Sequence, residues 1–414
     1  MRALPEDIRV VMAGAGAMGR GLLYQCEVTP GFRCVALADT RLQRAIDCAE
    51  SMNIAYRVVK TGGDLEDAIR GGVLAITDDA DLIARTESAD VFIDSTNAIA
   101  EAGEFCCTAI EHGMHLVMMN AEADLAFGPW FLHLAQENGV VYTSCDGDQH
   151  GVIKRLVDDL RLWGFDLVMA GNIKGFLDRY ANPTSIIPEA DKRNLDYEMC
   201  TAYTDGTKLC IEMALLANAL GLRTDIRGMH GPRAAHANDA LHLFDLDAMR
   251  ERGAPVVDYV LGAQPNGGVY AVGYCDDRYQ KDMMAYYKMG SGPYYVFYRP
   301  YHLCHVESME TIAAAHLDGH SLLQPDSGFR TDVFAYAKKE LKAGDRLDGI
   351  GGYACYGLIE NLDDPETDDG IPMCLADDVV VRRDIPKDGR ISLSDVDVPD
   401  DRIDFRLYEL AKNV

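Results

Sequence analysis

A chain of 414 residues can bury more than one hydrophobic core, so a multidomain protein is expected. Its 66 acidic side chains against 39 Lys and Arg leave a formal charge of -27, which repels phosphate backbones and anionic lipid surfaces and argues against nucleic acid or membrane partners. No apolar run approaches the roughly 20 residues needed to span a bilayer, the opening residues lack a signal-peptide core, and the 12 cysteines form no C-x-x-C pair; a cytoplasmic protein with reduced thiols is expected.

The run Ile8 to Ala13 reads as a buried strand leading directly into Gly14-Ala15-Gly16-Ala17-Met18-Gly19. Such a turn presents no side chains, so a dinucleotide pyrophosphate can reach backbone N–H groups at a helix start. Gly14 permits the turn, Gly16 the approach of the phosphates, and Gly19 the contact of helix with strand; Ala17 and Met18 sit at the opening of that helix. The next apolar run, Cys34 to Ala38, ends at Asp39, where a carboxylate can accept from a ribose 2'-OH or serve as an ordinary turn residue. Asp39 favours NAD because it repels a 2'-phosphate, and Arg41 offsets that preference. A nicotinamide or flavin nucleotide is expected at this turn, with NAD or NADP as the expected cofactor.

Runs Val73 to Ile76, Val91 to Ile93, His115 to Met118 and Val140 to Tyr142 then alternate with helical stretches such as Ala98 to His112 and Asp124 to Asn138. That alternation predicts an α/β fold, a Rossmann-type parallel sheet over residues 1–150. Ser95 and Thr96, just past the carboxyl edge of Val91 to Ile93, can line a nicotinamide site or cap a helix. The string Asp146-Gly147-Asp148-Gln149-His150 closes this region; Asp146 and Asp148 are candidate ligands for a divalent metal such as Mg2+ or Mn2+, or a solvated turn.

From 151 to 330 the pattern predicts an α+β substrate domain, with a long helix over Gly206 to Leu220 and strand-like segments at Val269 to Tyr274, Met283 to Tyr287 and Tyr294 to Tyr298. Asp205, Lys208 and Glu212 stand three and four residues apart, a spacing that predicts one helix face. Met213 to Ala217 make the rest of that helix apolar, and charges on a buried helix are costly unless paired or used. Lys208 is therefore the candidate acid or electrostatic partner of a reacting carbonyl oxygen, with Asp205 and Glu212 orienting it. In Gly171-Asn172-Ile173-Lys174-Gly175, Lys174 can meet an anionic substrate or be a plain loop lysine. His230 and His302 lie in the strings Gly228-Met-His-Gly-Pro232 and Arg299-Pro-Tyr-His302, where they touch substrate or brace loops. Beyond 331, short β-type runs separated by Gly, Pro and Asp predict a β-rich module over 331–414, and the acidic segment Asn361 to Gly370 predicts a solvated loop.

The strings Asn120-Ala-Glu-Ala-Asp124, Gly147-Asp-Gln149, Asp205-Gly-Thr-Lys208 with Glu212, Gly228 to Pro232, and Arg299-Pro-Tyr-His-Leu303 resemble homoserine-dehydrogenase-like oxidoreductases carrying a C-terminal SAF module. Among these they are similar to the 1-deoxy-D-xylulose-5-phosphate reductoisomerase-like proteins. The tail, with Gly344-Asp345, Gly349 to Tyr353, Gly357-Leu358 and Ile371-Pro372, resembles that SAF module. The resemblance implies NAD(P)-linked oxidation or reduction of a small polar substrate, a sugar phosphate or sugar acid among the candidates, with isomerisation preceding reduction in some members. It implies Asn120 at the cofactor and Glu122, Asp148, Asn172, His230, Arg299 and His302 at the substrate. His150 stands where the family carries proline, and Asn172 where it carries lysine. Losing that lysine points toward an unphosphorylated substrate. An amino-acid semialdehyde reductase and a dinucleotide-sensing regulator are the competing readings, and symmetry base rates favour a homo-oligomer.

Overall fold

A computed structural model of the chain describes residues 6–193, 195–363 and 369–414. Residues 364–368, within the acidic segment expected as a loop, lie outside the described residues. The chain forms two compact units, one from Met1–Asp148, Leu303–Gln324 and Ile403–Val414, the other from Gln149–His302 and Pro325–Arg402. None of the described helices is long and apolar enough to cross a membrane.

The first unit is built on strands β1 (Ile8–Ala13), β2 (Phe32–Ala38), β3 (Tyr56–Val58), β4 (Leu74–Thr77), β5 (Val91–Asp94), β6 (His115–Met118) and β7 (Tyr142–Ser144). They form one parallel sheet in the order β3-β4-β2-β1-β5-β6-β7. Both faces are covered, so β1 reads as a continuous apolar run rather than an alternating one, with Val10, Val11, Met12 and Ala13 all buried. Ser95 and Thr96 cap no helix: the next helix spans Ala100–Glu111, with Ile99 before it. The later segments complete this unit. The helix Cys304–Ala313 lies on the helix Ala17–Val28, and a Cβ on Gly21 would stand 2.5 Å from the His305 ring, so glycine sets that close approach. Met309 and Ile312 from the same segment enter the core around β1. Leu407, on the helix Ile403–Lys412, fills the space left by Gly103 beside Phe127.

The second unit holds β8 (Asp166–Lys174), β9 (Val256–Leu261), β10 (Val269–Tyr274) and β11 (Tyr294–Arg299), a mixed sheet in the order β11-β10-β8-β9. The helix Gln149–Leu162 packs on β8 and β10, and the Thr207–Leu220 helix packs on that helix and on β9. We call Thr207–Leu220 the lysine helix; it is buried almost all round. Met283 to Tyr287, expected as a strand, falls instead in the helix Arg278–Tyr286. Asp277 caps that helix by accepting the N–H of Gln280 (3.1 Å), and Tyr286 and Tyr287 point into solvent instead of onto a ladder. The β-type runs beyond 331 form the antiparallel pair β12 (Thr331–Ala337) and β14 (Cys355–Asn361), and a three-stranded sheet of β13 (Arg346–Asp348), β15 (Asp377–Val381) and β16 (Val396–Asp397). The 12 cysteines are free thiols; Cys34 and Cys210 are buried, and burial pushes the Cys210 thiol up to about 12.

Candidate active site

In the first unit the chain turns at Gly14 with φ 95°, and its N–H donates to Ala38 O (2.7 Å). A Cβ there would lie 2.7 Å from the Ser95 carbonyl oxygen, and one on Gly19 would lie 1.9 Å from the Gly14 oxygen, so both positions demand glycine. A Cβ on Gly16 would meet nothing within 4 Å. Gly16 is also the N-cap of the helix Ala17–Val28, and no side chain caps it, so the first N–H groups keep their donors for an external acceptor. Ala17 is exposed at this start, while Met18 is half-buried against the core. These residues fit a dinucleotide pyrophosphate: main-chain donors, open space and a helix start coincide.

Asp39 follows β2 and is buried. One carboxylate oxygen accepts the N–H of Ala15 (2.8 Å), inside the glycine turn, and the other that of Arg41 (2.9 Å), whose side chain is exposed. Arg44, not singled out from the sequence, brings a guanidinium to 3.7 Å. The carboxylate thus braces the turn and keeps a lone pair on each oxygen for a further donor.

At the carboxyl ends of β5 and β6, Ser95 Oγ donates to Ala13 O (2.8 Å) and Gly14 O (3.0 Å), tying this edge to the turn. Asp94 accepts from Thr96 N–H (2.9 Å) and Asn120 Nδ2 (2.9 Å); Asn120 also donates to Ala98 O and caps the helix Ala121–Asn138. Burial pushes the Asp94 carboxyl up to about 6, helped by buried Glu122. The fold therefore favours the neutral acid. That stabilisation is complete below the ordinary value of 3.8 and is lost as pH rises through about 6. The difference corresponds to about 3 kcal/mol. Asp94→Asn is expected to flatten the fall in unfolding free energy over this range relative to wild type, as read by chemical denaturation at a series of pH values.

The second unit assembles a different cluster. Along β8, Asn172 and Lys174 share one side by the two-residue period of a strand. Asn172 is fully buried; its Nδ2 donates to Glu212 Oε2 (2.9 Å) and to Gln149 Oε1. The Lys174 ammonium stands 4.0 Å from the same Glu212 oxygen. Glu212 and Lys208 are four residues apart on the lysine helix, hence on one face, and both are buried. Gln149, which opens the helix Gln149–Leu162, was not singled out from the sequence, although it sits in the Gly147-Asp-Gln149 string. One carboxylate, the Lys174 ammonium and two amides meet here, with Lys208 on the same helix face as Glu212; groups of these kinds can hold a polar substrate and pass a proton.

Asp205 does not share that face. Gly206, at φ 92°, breaks the chain between the helix Tyr197–Asp205 and the lysine helix, so the three-residue spacing to Lys208 crosses a helix end. Asp205 pairs with Lys338. His230 Nε2 meets Asp225 Oδ2 (2.9 Å), and the main-chain N–H of His230 donates to buried Asp258. His302 Nδ1 meets Gly267 O (2.8 Å), and Arg299 lies over the Tyr301 ring at 4.7 Å. Asp146 is buried, its carboxylate accepting the N–H of Gly147 and its own N–H donating to Thr311 Oγ1; Asp148 is half-buried.

Residues 147–308 match the family model described as the catalytic domain of oxidoreductase DRL. None of the curated proteins matches the sequence significantly. Among solved structures, the chain is similar to a homoserine dehydrogenase from Thiobacillus denitrificans (15% identity, 86% of this chain and 90% of that one, TM-score 0.46). It is also similar to the 1-deoxy-D-xylulose 5-phosphate reductoisomerase from Zymomonas mobilis in complex with NADPH (16% identity, 50% and 57%, TM-score 0.34). A third is the Synechocystis biliverdin reductase in complex with biliverdin and NADP+ (12% identity, 42% and 49%, TM-score 0.31). The chain spans about half the length of the last two.

Proposed function

We propose that this protein is a nicotinamide-dependent oxidoreductase that reduces, or in reverse oxidises, a small polar carbonyl or hydroxy substrate of the sugar-acid or sugar-phosphate class. The observation that carries this reading is the uncapped helix start at Gly16, with open space where a side chain would stand. Gly14, Gly16 and Gly19 would hold the pyrophosphate and Asp39 a ribose hydroxyl, while Ser95, Thr96 and Asn120 would line the nicotinamide end. When bound, the nicotinamide supplies the hydride chemistry.

The residues of the second unit supply the rest. Reduction of a carbonyl needs a proton on its oxygen as carbon gains hydride, and Lys208 is the donor in this reading. Glu212, fixed by Asn172, orients that ammonium and recovers the proton from solvent exchange, while Lys174 holds an anionic or strongly polar substituent of the substrate. Asn172 in place of a lysine supports a substrate without phosphate, because an amide already committed to Gln149 and Glu212 brings no charge to an anion.

The test is to titrate the purified protein with NAD+ and NADP+, then follow nicotinamide absorbance over a panel of sugar acids, sugar phosphates and homoserine. Binding without turnover on the whole panel would overturn the enzyme mechanism and leave a dinucleotide sensor; turnover of homoserine alone would favour the semialdehyde reductase. The position of Asp39 further predicts that NAD+ binds at least about tenfold tighter than NADP+, about 1.4 kcal/mol. Asp39→Asn should narrow that ratio, and an unchanged ratio would remove Asp39 from cofactor choice.

A further inference from the structure

We propose that Lys338 is a positioning residue for the reaction: reaching out from the end of β12, it fixes the start of the lysine helix and thereby the placement of Lys208 and Glu212. This inference rests on the catalytic reading of those two residues given above.

The Lys338 ammonium lies 2.8 Å from Asp205 Oδ2 and donates to Ala181 O (2.8 Å) and Gly352 O (2.8 Å). Two carbonyl oxygens accept its hydrogen bonds, and the carboxylate neutralises its charge. Both side chains of the pair are sealed, Lys338 at 3% and Asp205 at 0% exposure. The other Asp205 oxygen accepts the N–H of Thr207 (2.8 Å), so Asp205 ties down the first residue of the lysine helix across the Gly206 break. The same first turn is held a second time: Thr207 Oγ1 accepts the N–H of Gly357 (2.9 Å) on β14. Gly351 comes so close to the preceding helix that a Cβ there would stand 2.1 Å from Glu198 O. At the far end, Asn218 Oδ1 accepts the N–H groups of Arg330 and Thr331 (2.9 Å each), and its Nδ2 donates to Thr331 O (3.1 Å). Both ends of the helix that carries Lys208 and Glu212 are therefore fastened to residues 330–357.

A buried ion pair is a poor source of net stability, because desolvating both charges offsets their attraction and an apolar pair of similar volume holds a fold as well. What such a pair supplies is a defined location. An apolar pair cannot accept the Thr207 N–H, so it leaves the first turn held by the Thr207 Oγ1 bond to Gly357 and looser than before, and displacements of about 1 Å at reacting groups cost on the order of a hundredfold in rate.

The test compares full-length wild type, Lys338→Met, Lys338→Arg and the apolar pair Asp205→Leu/Lys338→Met by melting temperature, NAD+ affinity, hydrogen exchange at amides 207–212, and kcat and KM on the substrate the panel selects. The apolar pair is expected to melt close to wild type and bind NAD+ unchanged. Its amides 207–212 should exchange faster and its kcat should fall about tenfold or more with little change in KM. Lys338→Arg, which keeps the charge but not the compact ammonium geometry, should recover part of kcat. Wild-type exchange and kcat in the apolar pair would overturn the proposal, as would a kcat loss that only tracks melting temperature across the series. If the apolar pair does not fold, Lys338→Arg decides on the same two readouts. Failure of the catalytic reading is separately visible as wild-type turnover in Lys208→Met, whereas the exchange at 207–212 reports on Lys338 whatever the substrate.

Discussion

Gly16→Ala is expected to lose at least about a hundredfold in dinucleotide affinity, roughly 3 kcal/mol, while leaving the melting temperature near wild type. In the protein alone the added methyl meets nothing within 4 Å, so folding has no reason to suffer. The space it fills is the space a pyrophosphate needs to reach the N–H groups at the start of the helix Ala17–Val28. Gly19→Ala should behave differently. Its methyl would be driven to 1.9 Å from the Gly14 oxygen and 2.9 Å from Ser95 Oγ, a clash with main chain that no rotamer relieves. Both stability and binding should fall. Calorimetric titration beside thermal unfolding separates the two patterns, and a Gly16→Ala protein that binds NAD+ as wild type does would remove the cradle from the account.

Lys208→Met should lower kcat by about a hundredfold or more while NAD+ affinity holds, the range typical of a lost general acid. Methionine keeps the length and apolar bulk of the buried stem, so what leaves is the ammonium and its proton. Burial is what makes the comparison clean, because an exposed lysine would be replaced functionally by water. Glu212→Gln should cost less than Lys208→Met, since an amide still accepts from Asn172 but no longer holds Lys174 by charge. Full turnover in Lys208→Met would take that residue out of the mechanism.

The first unit was legible in the sequence because its signals are local. Apolar runs bounded by turns gave β1 and β6 at their observed limits, and the glycines announce a turn that only glycine can make. The site in the second unit was legible only in part. Asn172, Lys174 and Glu212 were each named, yet nothing in their spacing showed that β8 would bring an amide and an ammonium to one carboxylate. Met283 to Tyr287 carries a strand-like pattern because aromatic and apolar residues suit a strand, whereas Asp277 starts a helix there and the tyrosines take solvent. Asp205 departs from the expected face for a sharper reason: the three-residue spacing to Lys208 runs through Gly206, whose positive φ ends one helix and begins another. Its partner Lys338 is remote in the chain, and an ion pair between distant segments leaves no periodic trace.

The discontinuity of the first unit bears on how the protein is made. Met309, Ile312 and Leu407 complete its interior, yet they are synthesised long after the glycine turn. During translation the early strands must wait with apolar flanks uncovered, and a fragment ending near residue 150 would present those flanks permanently. Such a fragment should aggregate rather than bind nucleotide, so competence for the proposed cofactor would be acquired late in synthesis, once the later segments have joined the sheet.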